Sequence, residues 1–324
     1  MTKLLRVGLV AGLVFAASPA LALDVVVSIK PLHSLVASVM GDTGSPHLIV
    51  RGAASPHTYS MRPSDAAALE KADVVFWIGH GLEAFLDKPL DAFGGKAEIV
   101  AIAEQPGLAL LPQREGGPFE AHSHGDEDHD HDAEHDDHAH EQHAHEEHGH
   151  DALDMHLWLD PQNAAAAVGV IEDALAKADP GNAAAYAANA DALRDHLAVL
   201  GTQIDAELAP VRGKPFIVFH DAYQYFEKRF GVTAAGSITV SPEVMPGAER
   251  IAAIRDRIAS AGAACVFAEP QFEPRLVQTL IDGTSARAGV LDPEGGALTE
   301  GPDLYFDLMK GLSSSLAACL AGGG

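Results

Sequence analysis

Short apolar runs alternate with longer stretches of helical character along most of the chain. VVVSI at 25–29, HLIV at 47–50, VVFWI at 74–78 and EIVAIA at 98–103 predict strands in the first half. Helices are expected at 31–40 and over SDAAALEKA, where Ser64 is placed to N-cap the first turn. LWL at 157–159 reads as one more short strand. In the second half, 216–219, a weaker run near 232–238, 264–268 and 288–291 predict strands, separated by helices over 221–230, 247–261, 273–286 and 303–321. Strands that alternate with helices imply an α/β fold whose parallel sheets are covered on both faces. The two halves show no close internal repeat.

The middle has a different texture. Residues 162–178 are Ala-rich and helical, Pro180-Gly181 interrupts them, and Asn182 can cap a second helix running to about 210. Leu193, Leu197, Leu200, Ile204 and Leu208 fall on one face of it. Such a helix reaches about 43 Å, long enough to hold two lobes at a fixed distance. The competing arrangement is a pair of antiparallel helices packed on one lobe. The expected division is a leader at 1–22, an α/β lobe at 23–160, a helical region at 161–211 and a second α/β lobe at 212–324.

One segment cannot be core. Residues 120–150 hold 11 His and 12 Asp or Glu, with no Lys, no Arg and no branched aliphatic residue. They bury too little apolar area to offset the entropy of ordering, so disorder is expected without a ligand. A merely solvating acidic tract does not call for imidazoles at this density. His122, His124, His129, His131, His135, His138, His140, His143, His145, His148 and His150 therefore read as auxiliary, weak metal sites.

Composition narrows the function. Acidic residues outnumber basic ones 46 to 21, for a formal net charge of −25. That surface repels phosphate backbones and suits a protein that handles cations. Lys3 and Arg6, the apolar run 7–17 and Ala20-Leu21-Ala22 form a three-part export signal cleaved after Ala22. The run is short for a membrane anchor, and no Cys near the cleavage point offers a lipid anchor. Cys265, opening a strand, and Cys319, in the last helix, are the two cysteines. In an oxidising compartment an even pair points to a disulfide, with two free thiols as the alternative.

Seven His lie outside the tract: His33, His47, His57, His80, His156, His196 and His220. Ligands in open α/β sheets bind beyond the carboxyl ends of strands. His57 follows a strand in a loop, His220 ends FIVF, and His156 lies in DMHLWLDP just after the tract. Three neutral imidazoles from separate segments favour zinc, though any one loop His is more often an ordinary polar residue. Glu269 and His80 also stand at strand ends, where either can support the ligands from behind; the alternatives are a charge at a helix N-terminus for Glu269 and a bystander for His80. Asp160 reads as the N-cap that orients the strand carrying His156, or as a supporting contact to it.

The stretches SIKPLHSLVASVMG, SPHTYSMRPSD, ADVVFWIG, MHLWLDPQN, FIVFHDAYQYFEKRFG, VFAEPQF and GVLDPEG run from residue 28 to about 295. Through them the chain resembles the zinc-specific receptors of bacterial metal-uptake ABC transporters, the ZnuA-type members of the cluster A-I binding proteins. The resemblance implies two α/β lobes joined by one long rigid helix, with the metal in the cleft between them. It carries the family's His ligands onto His57, His156 and His220. It carries a carboxylate ligand onto Asp292, with water as the alternative fourth donor. Some zinc-type members have Glu before the first His; here Pro56 stands there. It further implies a monomeric periplasmic receptor that hands Zn²⁺ to a membrane permease, with a periplasmic zinc chaperone as a possible donor. Other readings are a manganese or iron receptor of the same fold, a zinc buffer, and a secreted zinc hydrolase. Manganese-type relatives carry a carboxylate where this chain has His220. No HExxH or G-x-S-x-G motif supports a hydrolase.

Overall fold

A computed structural model describes residues 23–93, 95–114, 119, 153–239, 246–272 and 275–322. In chain order the elements are β1 (Val25–Val27), α1 (Lys30–Met40), β2 (His47–Leu48), α2 (Pro63–Lys71), β3 (Val74–Trp77), α3 (Asp87–Phe93), β4 (Glu98–Ala101), β5 (Leu111–Pro112) and β6 (Leu153–Asp154). There follow α4 (Pro161–Ala178), α5 (Ala183–Leu208), β7 (Phe216–Val218), α6 (Gln224–Phe230), β8 (Ala234–Ser237), α7 (Ala248–Ala261), β9 (Cys265–Ala268), α8 (Arg275–Ile281), β10 (Arg287–Val290) and α9 (Leu304–Ala321).

Two four-stranded sheets form, ordered β2-β1-β3-β4 and β10-β9-β7-β8, every pairing parallel. The expected α/β architecture is therefore present. Strand side chains alternate between faces. In the second sheet Phe216, Val218, Cys265 and Phe267 join one core, while Ile217, Phe219, Val266 and Ala268 join another beneath α7 and α8. Both faces are thus covered, which is why these strands read as continuous apolar runs.

The first core is continuous from the first sheet through α4, α5 and α9 to the second sheet. The long helix α5 buries Leu193, Leu197, Leu200, Ile204 and Leu208, the stripe that the spacing predicts. It packs along α4 and also against α1 and α9. The hairpin with α4 and the span between halves are both real. Asn182 does not cap it through its side chain, which donates to Asp179 instead.

Three local expectations are corrected. LWL is a 3₁₀ turn, not a strand. Leu157, Trp158 and Leu159 are all buried, and a short apolar run has no periodicity that separates the two. Ser64 does not cap α2. Pro63 starts the helix one residue earlier, and Asp65 accepts from the backbone N–H of Arg62 at 3.1 Å. The helix expected over 273–286 is shorter, Arg275–Ile281, with 273–274 outside the described residues.

Cys265 and Cys319 form a disulfide that ties α9 to the amino end of β9. Among the described residues no helix is long and apolar enough to cross a membrane.

Candidate metal centre

His57 lies in the loop between β2 and α2. Buried Asp65 anchors that loop: it accepts from the Tyr59 hydroxyl at 2.9 Å, and the same hydroxyl reaches the Ile49 carbonyl at 3.1 Å. His156 stands two residues past the end of β6 and immediately precedes the 3₁₀ turn. His220 lies just past the carboxyl end of β7. One ring nitrogen from each of the three lies within 4.8 Å of the others. His156 and His220 are buried, and His57 is half-buried.

The tautomers follow from the neighbours. His156 Nδ1 bonds Asp154 Oδ1 at 2.8 Å, and His220 Nδ1 lies 2.8 Å from both Glu269 oxygens. A carboxylate only accepts, so each Nδ1 carries the proton. Each Nε2 of a neutral ring then presents a lone pair, and the two Nε2 atoms face each other at 3.4 Å. Two lone pairs at that distance repel unless a cation sits between them. Tetrahedral bonds of about 2.0–2.1 Å place neighbouring ligand atoms about 3.4 Å apart. The donor set therefore fits zinc.

The surroundings are acidic. Burial pushes the Tyr223 phenol well up, and the Glu269 charge adds to it. Burial likewise raises the Glu294 carboxyl, followed by the charges of Glu83, Asp292 and Glu269. Such a field favours a cation in the cleft.

Other sequence candidates land differently. Glu269 is 2% exposed, and its carboxylate accepts from His220 Nδ1 at 2.8 Å. Asp292 lies outside the three-imidazole group. Its carboxylate accepts from the N–H groups of Glu294 (3.2 Å) and Ala297 (3.4 Å) and from Gln271 Nε2 (3.4 Å). Its loop is pinned across the molecule, where Lys30 Nζ donates to the carbonyls of Gly295, Gly296 and Leu298 and Trp158 Nε1 to that of Pro293. His80 is exposed, with Nδ1 2.6 Å from Asp87 and its ring edge-on to Trp77. Asp160 caps α4 through the N–H of Gln162 and accepts from Arg229 Nε and Nη2, at 2.6 and 2.7 Å, whereas the His156 ring bonds Asp154. The tract imidazoles of residues 120–150 lie outside the described residues.

Asp154 is the site residue that sequence reasoning missed. Its signal is an acid two positions before a candidate ligand His, hidden here at the edge of an acid-rich tract. Outer acceptors of this kind typically contribute 10–100-fold in metal affinity. Asp154→Asn and Glu269→Gln are each expected to weaken zinc binding by roughly that factor. Chelator competition checks this, and unchanged affinity would show that the tautomers are set by something else.

Glu83 was also missed. It is fully buried where β1 and β3 end, accepting from Ser28 Oγ (2.6 Å), Ile78 N (3.1 Å) and Gly79 N (3.0 Å). Burial outweighs these donors and lifts its carboxyl to about 7. A carboxyl raised on folding stabilises the folded state while protonated, and that stability is lost as pH climbs from about 4.5 through about 7. Relative to Glu83→Gln, the protein is expected to lose up to about 3 kcal/mol over that window. Urea unfolding of both proteins across the window measures it, and parallel profiles would refute it.

Residues 25–319 match the family model described as zinc-uptake complex component A, periplasmic, ZnuA. The chain belongs to this ZnuA family. It is 56% identical over 305 residues to the high-affinity zinc uptake system protein ZnuA of Brucella suis biovar 1 (strain 1330), covering 92% of this chain and 91% of that one. It is 39% identical over 297 residues to the protein of the same name from Paracoccus denitrificans (strain Pd 1222), with 91% of each covered. A solved structure described as the crystal structure of ZnuA aligns with a TM-score of 0.73 at 23% identity, over 92% of this chain and 99% of that one. Another, of a zinc-bound ZnuA mutant lacking its residues 138–173, aligns at 0.72 with 24% identity, over 92% of this chain and 98% of that one. These two likenesses concern the fold. Membership in the family agrees with the resemblance read from the motifs, and it sets the three-imidazole centre within a zinc-uptake complex component.

Proposed function

We propose that this protein is a periplasmic receptor that captures Zn²⁺ in the cleft between its two sheets and delivers it to the membrane permease of an ABC uptake system. It binds and releases its cargo and catalyses no reaction on it. The observation that carries this reading is the pair of facing, proton-free Nε2 atoms of His156 and His220, 3.4 Å apart, with His57 completing the set. Nitrogen donors favour zinc over manganese. Asp292 or a water supplies a fourth donor. Residues 1–22 form the export leader, cleaved after Ala22. Residues 23–160 and 212–324 form the two lobes, joined by 161–211. The receptor acts as a monomer, and a periplasmic chaperone can feed it zinc.

In this reading residues 120–150 collect zinc weakly and raise its local concentration beside the cleft. Each of their sites must order backbone at about 1–2 kcal/mol per residue, whereas the cleft is already built. Deleting them is expected to lower the number of ions bound while keeping one tight site. Calorimetric competition between zinc and manganese, with and without the tract, tests both claims. Loss of the tight phase on deletion, or manganese binding more tightly than zinc, would overturn the proposal.

A further inference from the structure

The segment after β5 carries Arg114, whose guanidinium lies between two carboxylates. Its Nε reaches both oxygens of Asp221 at 3.1 and 3.0 Å, and Nη2 bonds the same group. Nη1 and Nη2 donate to the two oxygens of Glu227 at 3.0 and 2.8 Å. The ring of Phe119 covers its face, 3.9 Å from Cζ to the centroid. Asp221 directly follows His220, and Glu227 is a buried residue of α6.

Arg114 comes from a separate segment, the one that follows β5. Antiparallel β5 and β6 place Leu111 opposite Asp154, the acceptor that orients His156. The same seam is stitched by the Tyr225 hydroxyl, which accepts from Leu111 N–H at 3.0 Å and donates to the Asp154 carbonyl at 2.7 Å. Gln224 Nε2 adds bonds to the Pro112 carbonyl and to Asp154 Oδ2. Arg114 thus joins the ribbon that sets one imidazole to the turn that bears another.

Glu269 sets the rotation of the His220 ring, but the place of its backbone depends on the turn. We infer that Arg114 is a positioning residue, holding the His220 turn against the β5–β6 ribbon so that the two Nε2 atoms keep the spacing a tetrahedral ion requires. The inference rests on the zinc reading above. Without the guanidinium, Asp221 and Glu227 are two largely buried carboxylates lacking their shared cation. Their repulsion and drive for water displace the turn. Lysine restores one charge but cannot fork to both carboxylates.

The test uses the full exported chain as wild type, Arg114→Ala, Arg114→Lys and Asp221→Asn. Zinc release into excess chelator and the visible ligand-field spectrum of the cobalt-loaded protein are measured beside thermal stability. Arg114→Ala is expected to release zinc roughly 10-fold faster or more and to alter the cobalt spectrum, with partial recovery in Arg114→Lys. If the alanine variant does not fold, Asp221→Asn carries the test, with a smaller change in the same direction. Unchanged release and spectrum, even with lowered stability, overturn the inference and leave the zinc reading standing. A wild-type protein that takes up no zinc overturns both.

Discussion

His57→Ala, His156→Ala and His220→Ala are each expected to weaken zinc binding by on the order of 100-fold or more, exceeding the cost typical of an outer acceptor. The measurement belongs in protein lacking residues 120–150, so that tract imidazoles do not substitute for the missing ligand. Each change removes a nitrogen that the fold has already placed within 4.8 Å of the other two. Water can enter the gap, but it is a weaker donor and is not held in place. At His156 and His220 the change also takes the ring N–H from a buried carboxylate, Asp154 or Glu269, which keeps its remaining donors, Gln224 Nε2 and the Tyr223 hydroxyl among them. The lost bond costs stability of its own, so the apo proteins should melt earlier as well. The His57 variant, whose ring is half-buried, should bind poorly while losing less stability. Three variants with wild-type affinity would remove these residues from the site.

Replacing both Cys265 and Cys319 by Ala is expected to lower stability by about 4 kcal/mol on the chain-entropy model, given their separation of 54 residues. Denaturant unfolding of the oxidised protein and the double variant gives the difference. Zinc affinity should not change with it. Cys265 opens β9 at its amino end, whereas Glu269 follows the carboxyl end of the same strand, next to His220. The bridge therefore secures α9 against the second sheet at the end of β9 away from Glu269 and His220. A double variant with weakened zinc binding would show that this end of the strand is coupled to the centre.

Much of this molecule was legible in its sequence. The apolar runs at 25–29, 74–78, 216–219 and 264–268 announce strands because their side chains are buried on both sheet faces. The stripe from Leu193 to Leu208 announces α5 because one face of that helix is buried in the core. Spacing, residue type and family motifs together picked His57, His156 and His220 from seven candidates. The same reasoning failed at Leu157–Leu159, where burial without periodicity fits a strand and a tight turn equally well.

Other features depend on residues far apart in the chain. Asp292 and Asp160 resemble Glu269 in sequence, each an acid beside a Pro at an element boundary. Only packing sends Glu269 to an imidazole, Asp160 to Arg229 and Asp292 to the backbone of its own loop. Nor does local sequence reveal that Arg114 reaches Asp221 across 107 residues, or that Lys30 holds a loop 265–268 residues away. The elements and the metal-binding residue types come from local patterning, since burial and chemistry are properties of each segment. The tautomer of His220, the 3.4 Å gap between two bare nitrogens and the Arg114 bridge to Asp221 come from tertiary structure. Hydrogen bonds and charge pairs of that kind depend on distances that exist only once distant segments have packed together.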